Sequence, residues 1–302
     1  MTGIMADWIA VDWGTTHLRA YAMGANGVLA EASSADGMGS LTRDGYEAAL
    51  LRLAGPWLGA GTTPVVACGM VGSRQGWMEA PYRTTPCTPL DAASLVAVPT
   101  ADARLAVRLV PGLKQAAPAD VMRGEETQIA GALALLPGFD GILCLPGTHS
   151  KWVQVSAGEV VSFQTYMTGE MFALLSQQSV LRHGMATKDW DEAAFATALS
   201  DAIARPEKIA ARLFALRAEG LIAGLTPAAA RSRLSGLLIG IELAAARPYW
   251  LGQQVALIGA DALCAAYAGA LHAQGVPARI LPAAACTIAG LAAARPAMEP
   301  TR

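Results

Sequence analysis

The stretch Asp12-Trp-Gly-Thr-Thr16 sets a carboxylate two residues ahead of a glycine that is followed by two hydroxyls. Such a turn offers backbone N–H and hydroxyl donors to phosphate oxygens. A carboxylate beside it can hold a phosphate-bound Mg2+ through water. A second glycine-threonine turn follows at Gly147-Thr-His149, again between two apolar runs. A plain hairpin with a polar tip accounts for either turn alone, but a repeated unit favours a clamp. Gly14, Thr15, Thr16, Gly147, Thr148 and His149 are the expected donors to the phosphates of one nucleotide, and Asp12 the expected metal partner.

Strand–turn–strand units must carry both turns. Ile9 and Val11 alternate with Ala10 and Asp12, the period-two pattern of a strand. The turn Gly24-Ala-Asn-Gly27 leads to a third strand at 28–33, and helical spacing covers 46–53. A buried strand at 64–68 empties into Gly69-Met-Val-Gly-Ser-Arg-Gln-Gly-Trp77. Pro81, Pro86 and Pro89 keep the next segment extended before a strand at 105–110. The run 120–136 reads as an amphipathic helix through Ile129, Leu133 and Leu136, stopped by Pro137-Gly138. The run 141–155, read as strand, turn and strand, and a third strand at 160–166 repeat the opening unit. Residues 167–250 are mostly helical, with an Ala/Leu/Arg-rich stretch at 193–224. A strand at 254–258, a helix at 262–274, a strand at 278–281 and a small-residue helix at 283–294 follow. The expected division is 1–137 and 138–302, two halves hinged about a cleft.

Composition narrows the classes. The chain has 302 residues, 53% hydrophobic and 15% charged, enough for a substantial core. A net charge of −2 without a basic tract argues against nucleic acid as partner. No apolar run reaches membrane-spanning length, and the N-terminus lacks a signal-type core. Five scattered cysteines without a Cys-x-x-Cys fit reduced thiols in a cytoplasmic protein. Four scattered histidines suggest no protein-made metal cage.

Taken together, the paired turns, the helix between them and Ile258-Gly-Ala260 resemble the sugar kinase, heat-shock ATPase and actin superfamily. More specific words resemble the 2-dehydro-3-deoxygalactonokinase family: Asp12-Trp-Gly-Thr-Thr16, Gly69 to Trp77, Arg123-Gly-Glu-Glu-Thr-Gln128, Leu145-Pro-Gly-Thr-His-Ser-Lys-Trp152, Met167-Thr-Gly-Glu170 and Ser235-Gly-Leu-Leu-Ile-Gly240. The resemblance implies an α/β protein of two ribonuclease-H-like domains, ATP and Mg2+ as cofactors, and phosphorylation of 2-dehydro-3-deoxygalactonate at its terminal hydroxyl. The first half would then carry the sugar-acid side and the second half the adenosine side with a helical insert. Leu145 stands where the wider superfamily often has an Asp, so metal binding leans on Asp12 and on a glutamate of the intervening helix.

Within that frame each residue has a role and an alternative. Glu125, Glu126 and Asp12 are the candidate bases or metal-water ligands, because a helix N-terminus favours the anion. Glu125 leads, lying four residues before Ile129 on the apolar face, although acids in first turns also merely oppose the helix dipole. Arg74 is the first candidate for the substrate carboxylate and Arg123 the second, with Gln75 and Trp77 beside them. Either arginine serves equally as a structural ion-pair partner, and a loop Trp equally as a core plug. Gly259 and Ala260 resemble the superfamily's adenosine-binding segment, and Lys151 either touches phosphate or is solvated. His17, His183 and His272 read as structural or surface residues. A hydrolase of the same fold, exopolyphosphatase-like, and a non-catalytic actin-like nucleotide switch are the rival readings. A homodimer through the helical part of the second half is an expectation.

Overall fold

Alternation along Trp8–Trp13 (β1) divides that strand between two cores rather than between core and water. In the computed structural model, which describes residues 4–295, Ile9, Val11 and Trp13 enter one cluster with Leu18, Val65 and Leu109. Trp8 and Ala10 enter another with Val66, Cys68 and Leu291. A sheet covered on both faces needs apolar residues at odd and even positions alike, which β1 supplies except at Asp12.

The chain continues through β2 (Leu18–Gly24), β3 (Gly27–Ser34), α1 (Tyr46–Ala54), β4 (Thr63–Gly69), β5 (Arg83–Thr84), β6 (Val96–Val98), β7 (Leu105–Leu109), β8 (Leu113–Gln115), β9 (Asp120–Met122) and α2 (Glu125–Leu135). Six of these strands form a sheet in the order β3-β2-β1-β4-β7-β6. The pairs β1–β2 and β2–β3 are antiparallel, whereas β1–β4 and β4–β7 are parallel. A second run gives β10 (Gly141–Leu145), β11 (Ser150–Ser156), β12 (Glu159–Tyr166), α3 (Thr168–Gln177), α4 (Glu192–Ala204), α5 (Ile209–Ile222), α6 (Pro227–Ala245), α7 (Arg247–Trp250), β13 (Val255–Gly259), α8 (Asp261–Ala273), β14 (Ala278–Pro282) and α9 (Ala283–Ala294). Its sheet runs β12-β11-β10-β13-β14, with β10–β13 and β13–β14 parallel. Both sheets share a 3-2-1-4 strand order followed by a further parallel strand, as in the ribonuclease-H-like, actin-type fold.

The first compact unit holds the residues up to 140 together with 155–162 and those from 283 onward, and the second holds 141–154 and 163–282. Helix α9 belongs to the first unit. The physical reason is its packing: a Cβ on Gly290 would lie 1.9 Å from the Thr127 carbonyl oxygen, and one on Gly131 1.7 Å from that of Cys286. Helices α2 and α9 therefore meet backbone to backbone, which their small residues permit.

That contact also corrects the reading of α2 as amphipathic. Glu126, Thr127, Ile129, Ala130, Gly131 and Ala132 are all buried, so the helix has no clear wet face near its start. Residues 120–122 pair as β9 rather than leading into the helix. The stretch 193–224 is two helices, because Pro206 lacks the N–H that would continue α4. In the second unit, α4 and α6 cross closely at Gly236, where a Cβ would lie 2.4 Å from the Phe195 carbonyl oxygen. This gives the word Ser235 to Gly240 a packing explanation.

Candidate active site

The first turn stands at the C-terminal end of β1. Gly14 N–H donates to the His17 carbonyl at 2.9 Å, leaving Thr15, Thr16 and His17 exposed at the tip. The loop Asp36-Gly-Met-Gly-Ser40 grips this turn from behind, through Met38 N–H to Gly14 O at 3.0 Å and Gly39 N–H to Thr15 O at 2.8 Å. Asp12, one residue inside the strand, accepts from Arg19 Nη1 at 3.0 Å and keeps about a quarter of its side chain exposed. Burial raises its pKa, against the lowering effect of Arg19.

Beside it, β4 ends at Gly69, whose φ of +91° suits glycine and whose Cβ would lie 2.7 Å from the Trp13 carbonyl oxygen. Gly124 stacks on Gly69 in turn, placing the start of α2 next to the ends of β1 and β4. The two glutamates there differ sharply. Glu126 is fully buried, accepting from Gly124 N–H at 2.7 Å and from Thr127 Oγ1 at 3.1 Å. Burial, and then the charge of Glu125, push its pKa up to about 8. Glu125 is half-buried and accepts from Arg123 N–H at 3.0 Å. The sequence count that put Glu125 on the covered face is thus corrected, because helix α2 is enclosed from several directions.

The polar loop after β4 separates its candidates. Arg74 and Gln75 are exposed, and the Arg74 side chain makes a loose contact with Glu79 at 3.7 Å. Trp77 stacks on Tyr46 and meets Trp13 edge-on, each at a centroid distance of 6.1 Å, and so plugs the core. Arg123 is held differently. Its Nη2 donates to the Ala80 carbonyl at 2.8 Å, and its guanidinium lies 4.3 Å above the Tyr82 ring. Its Nε and Nη1 are buried without a hydrogen-bond partner among the described residues, as are Ser73 Oγ and Tyr46 Oη. Buried donors of this kind are costly unless a ligand or water engages them.

In the second unit, Gly147-Thr148-His149 follows β10, with Thr148 and His149 exposed. The Met167-Thr-Gly-Glu170 word, which sequence reading left without a role, packs against this turn. A Cβ on Gly169 would lie 2.3 Å from the Gly147 carbonyl oxygen, Glu170 N–H donates to Thr148 O at 2.9 Å, and the Glu170 carboxylate meets His149 Nε2 at 2.6 Å. Lys151 is buried rather than solvated. Gly259 ends the neighbouring strand β13, where a Cβ would come within 3.0 Å of the Pro146 carbonyl oxygen, and Ala260 precedes α8.

A cavity of about 900 Å3 opens beside the turn, entirely within this unit. Gly147, Thr148, Phe172, Trp190 and Arg231 line it along with Ala262, Ala265 and Ala266 of α8. Gly259 and Ala260 are not among its lining residues. Sequence reading missed Phe172, Trp190, Lys188 and Arg231, since nothing in their spacing distinguishes them from helix surface. Among the described residues no group of three or more His, Cys, Asp or Glu side chains is placed to hold a metal, and the five cysteines are all free.

Comparison with known proteins gives the family of the chain. The model of the 2-keto-3-deoxy-galactonokinase family matches residues 12–294. A probable 2-dehydro-3-deoxygalactonokinase of Rhizobium meliloti strain 1021 is 39% identical, covering 97% of this chain and 98% of its own length. The 2-dehydro-3-deoxygalactonokinase of Escherichia coli K12 is 36% identical over 89% of this chain and 91% of its own. A crystal structure from Sinorhizobium meliloti, assigned to the same activity, superposes with a TM-score of 0.87 at 38% identity, covering 97% of this chain and all of that one. The chain belongs to the 2-keto-3-deoxy-galactonokinase family, the sugar-acid kinases of galactonate catabolism.

Proposed function

We propose that this protein transfers the γ-phosphoryl group of ATP to the terminal C6 hydroxyl of 2-dehydro-3-deoxy-D-galactonate, in the cytoplasm. The observation that carries the reading is the cavity of the second unit, which Gly147 and Thr148 help to line and which has room for a nucleoside. Adenosine lies against the alanines of α8, and the phosphates reach the turn that His149 and Glu170 brace. The first unit takes the acceptor: Arg123, with two unpartnered guanidinium nitrogens, meets the sugar-acid carboxylate. Arg74, Gln75 and Trp77 are secondary to it, given their exposure or core packing.

Glu125 is the base that takes the hydroxyl proton, since it stands half-buried at the start of α2 whereas Glu126 is fully enclosed. Asp12 fits Mg2+ held through water, because one of its oxygens pairs with Arg19 and part of the side chain stays open. A Mg2+ ion held there would supply charge neutralisation for phosphoryl transfer. Replacing Glu125 by Gln is expected to lower kcat about a hundredfold or more while leaving the Kd for ADP unchanged. Near-normal turnover in that variant would remove Glu125 from the mechanism.

A further inference from the structure

We propose that Glu242 is a positioning residue for the nucleotide: its buried carboxylate ties together the elements that wall the cavity and so sets nucleotide affinity without touching the ligand. The inference rests on reading that cavity as the nucleotide site. Glu242 sits in α6, 2% exposed and absent from the cavity lining. Trp152 Nε1 donates to its Oε1 at 2.8 Å and Tyr267 Oη to its Oε2 at 2.8 Å. The hydroxyls of Thr168 and Ser150 also hydrogen-bond the carboxylate, and Ser150 Oγ lies 3.2 Å from Tyr267 Oη. One carboxylate thus gathers donors from β11, α3 and α8.

Each donor adjoins the site. Ser150 directly follows His149 of the phosphate turn. Thr168 lines the cavity and precedes Gly169, which abuts Gly147. Tyr267 is part of the cavity wall, and Leu238 and Ile239, one helical turn before Glu242, are also in that wall. Burial raises the pKa of Glu242, and the four donors partly oppose that rise. Glutamine cannot replace it without loss. An amide nitrogen donates where the carboxylate accepted, and the Trp152 N–H can only donate, so the hydroxyls must reorient.

The test is calorimetric binding of ADP, with steady-state kinetics, on Glu242→Gln and Ser150→Ala. A cavity-filling Ala265→Trp variant serves as control. Glu242→Gln is expected to weaken ADP about tenfold and raise the KM for ATP in parallel, the scale of a lost hydrogen bond to a charged group. The KM for the sugar acid should stay within about twofold, a split that general loss of structure would not produce. Ser150→Ala, which alters little buried volume, should weaken ADP about threefold and carries the test if Glu242→Gln does not fold. Unchanged ADP affinity in the folded variants, with Ala265→Trp abolishing binding, would overturn the role of Glu242 alone. Normal ADP binding by Ala265→Trp would overturn the cavity reading and this inference with it.

Discussion

A carboxyl group enclosed at the start of a helix is unfavourable as an anion, and Glu126 answers this by holding its proton to about pH 8. Between the ordinary glutamate pKa and that value the folded state binds more protons than the unfolded state. The contribution of Glu126 to stability is therefore complete below about pH 4.5 and is lost as pH rises through about 8. Replacing it by Gln should flatten the fall in unfolding free energy between pH 5 and 8 by up to about 1.4 kcal/mol per pH unit. Denaturant titrations at several pH values read this out, and parallel curves for the two proteins would refute it. The arginines make a second contrast. Arg123→Ala should raise the KM for the sugar acid about 10- to 100-fold with little change for ATP, whereas Arg74→Ala should leave both near wild type. Equal effects, or a larger one from Arg74, would reverse the assignment. Sequence favoured Arg74 because glycines flank it, but whether a loop arginine faces water or a neighbouring ring is decided by contacts such as Tyr82, some 40 residues from Arg123.

At the scale of elements, local pattern carried far where each strand or helix meets its own surroundings simply. The strand–turn–strand units, α1, α8 and α9 were legible because alternation, turn residues and helix stops act within a few residues. Helix α2 was less so, since its burial depends on α9, more than 150 residues away in the chain, and no periodicity of its own reports that partner. Gly131→Ala tests this packing. Its added Cβ would fall 1.7 Å from the Cys286 carbonyl oxygen, so the helices must separate. A loss of about 2 to 3 kcal/mol in unfolding free energy is expected from denaturant melts, and a change under about 0.5 kcal/mol would mean the contact yields freely.

For the molecule as a whole, one strand order appears twice, each copy presenting a glycine-threonine turn after its first strand. The turns were readable from sequence as a repeat. The cavity proposed for the nucleotide was not, because its walls come from α3, α6, α8 and the segment around Trp190, drawn together only by the folded second unit. Family membership adds the sugar acid as acceptor, which neither turn specifies by itself. The most direct test is 31P NMR of the protein incubated with MgATP and 2-dehydro-3-deoxygalactonate. The account predicts ADP and a phosphomonoester at C6 in equal amounts, with inorganic phosphate no higher than in an enzyme-free blank. Inorganic phosphate accumulating at the same rate with or without the acid, and no phosphomonoester, would contradict it.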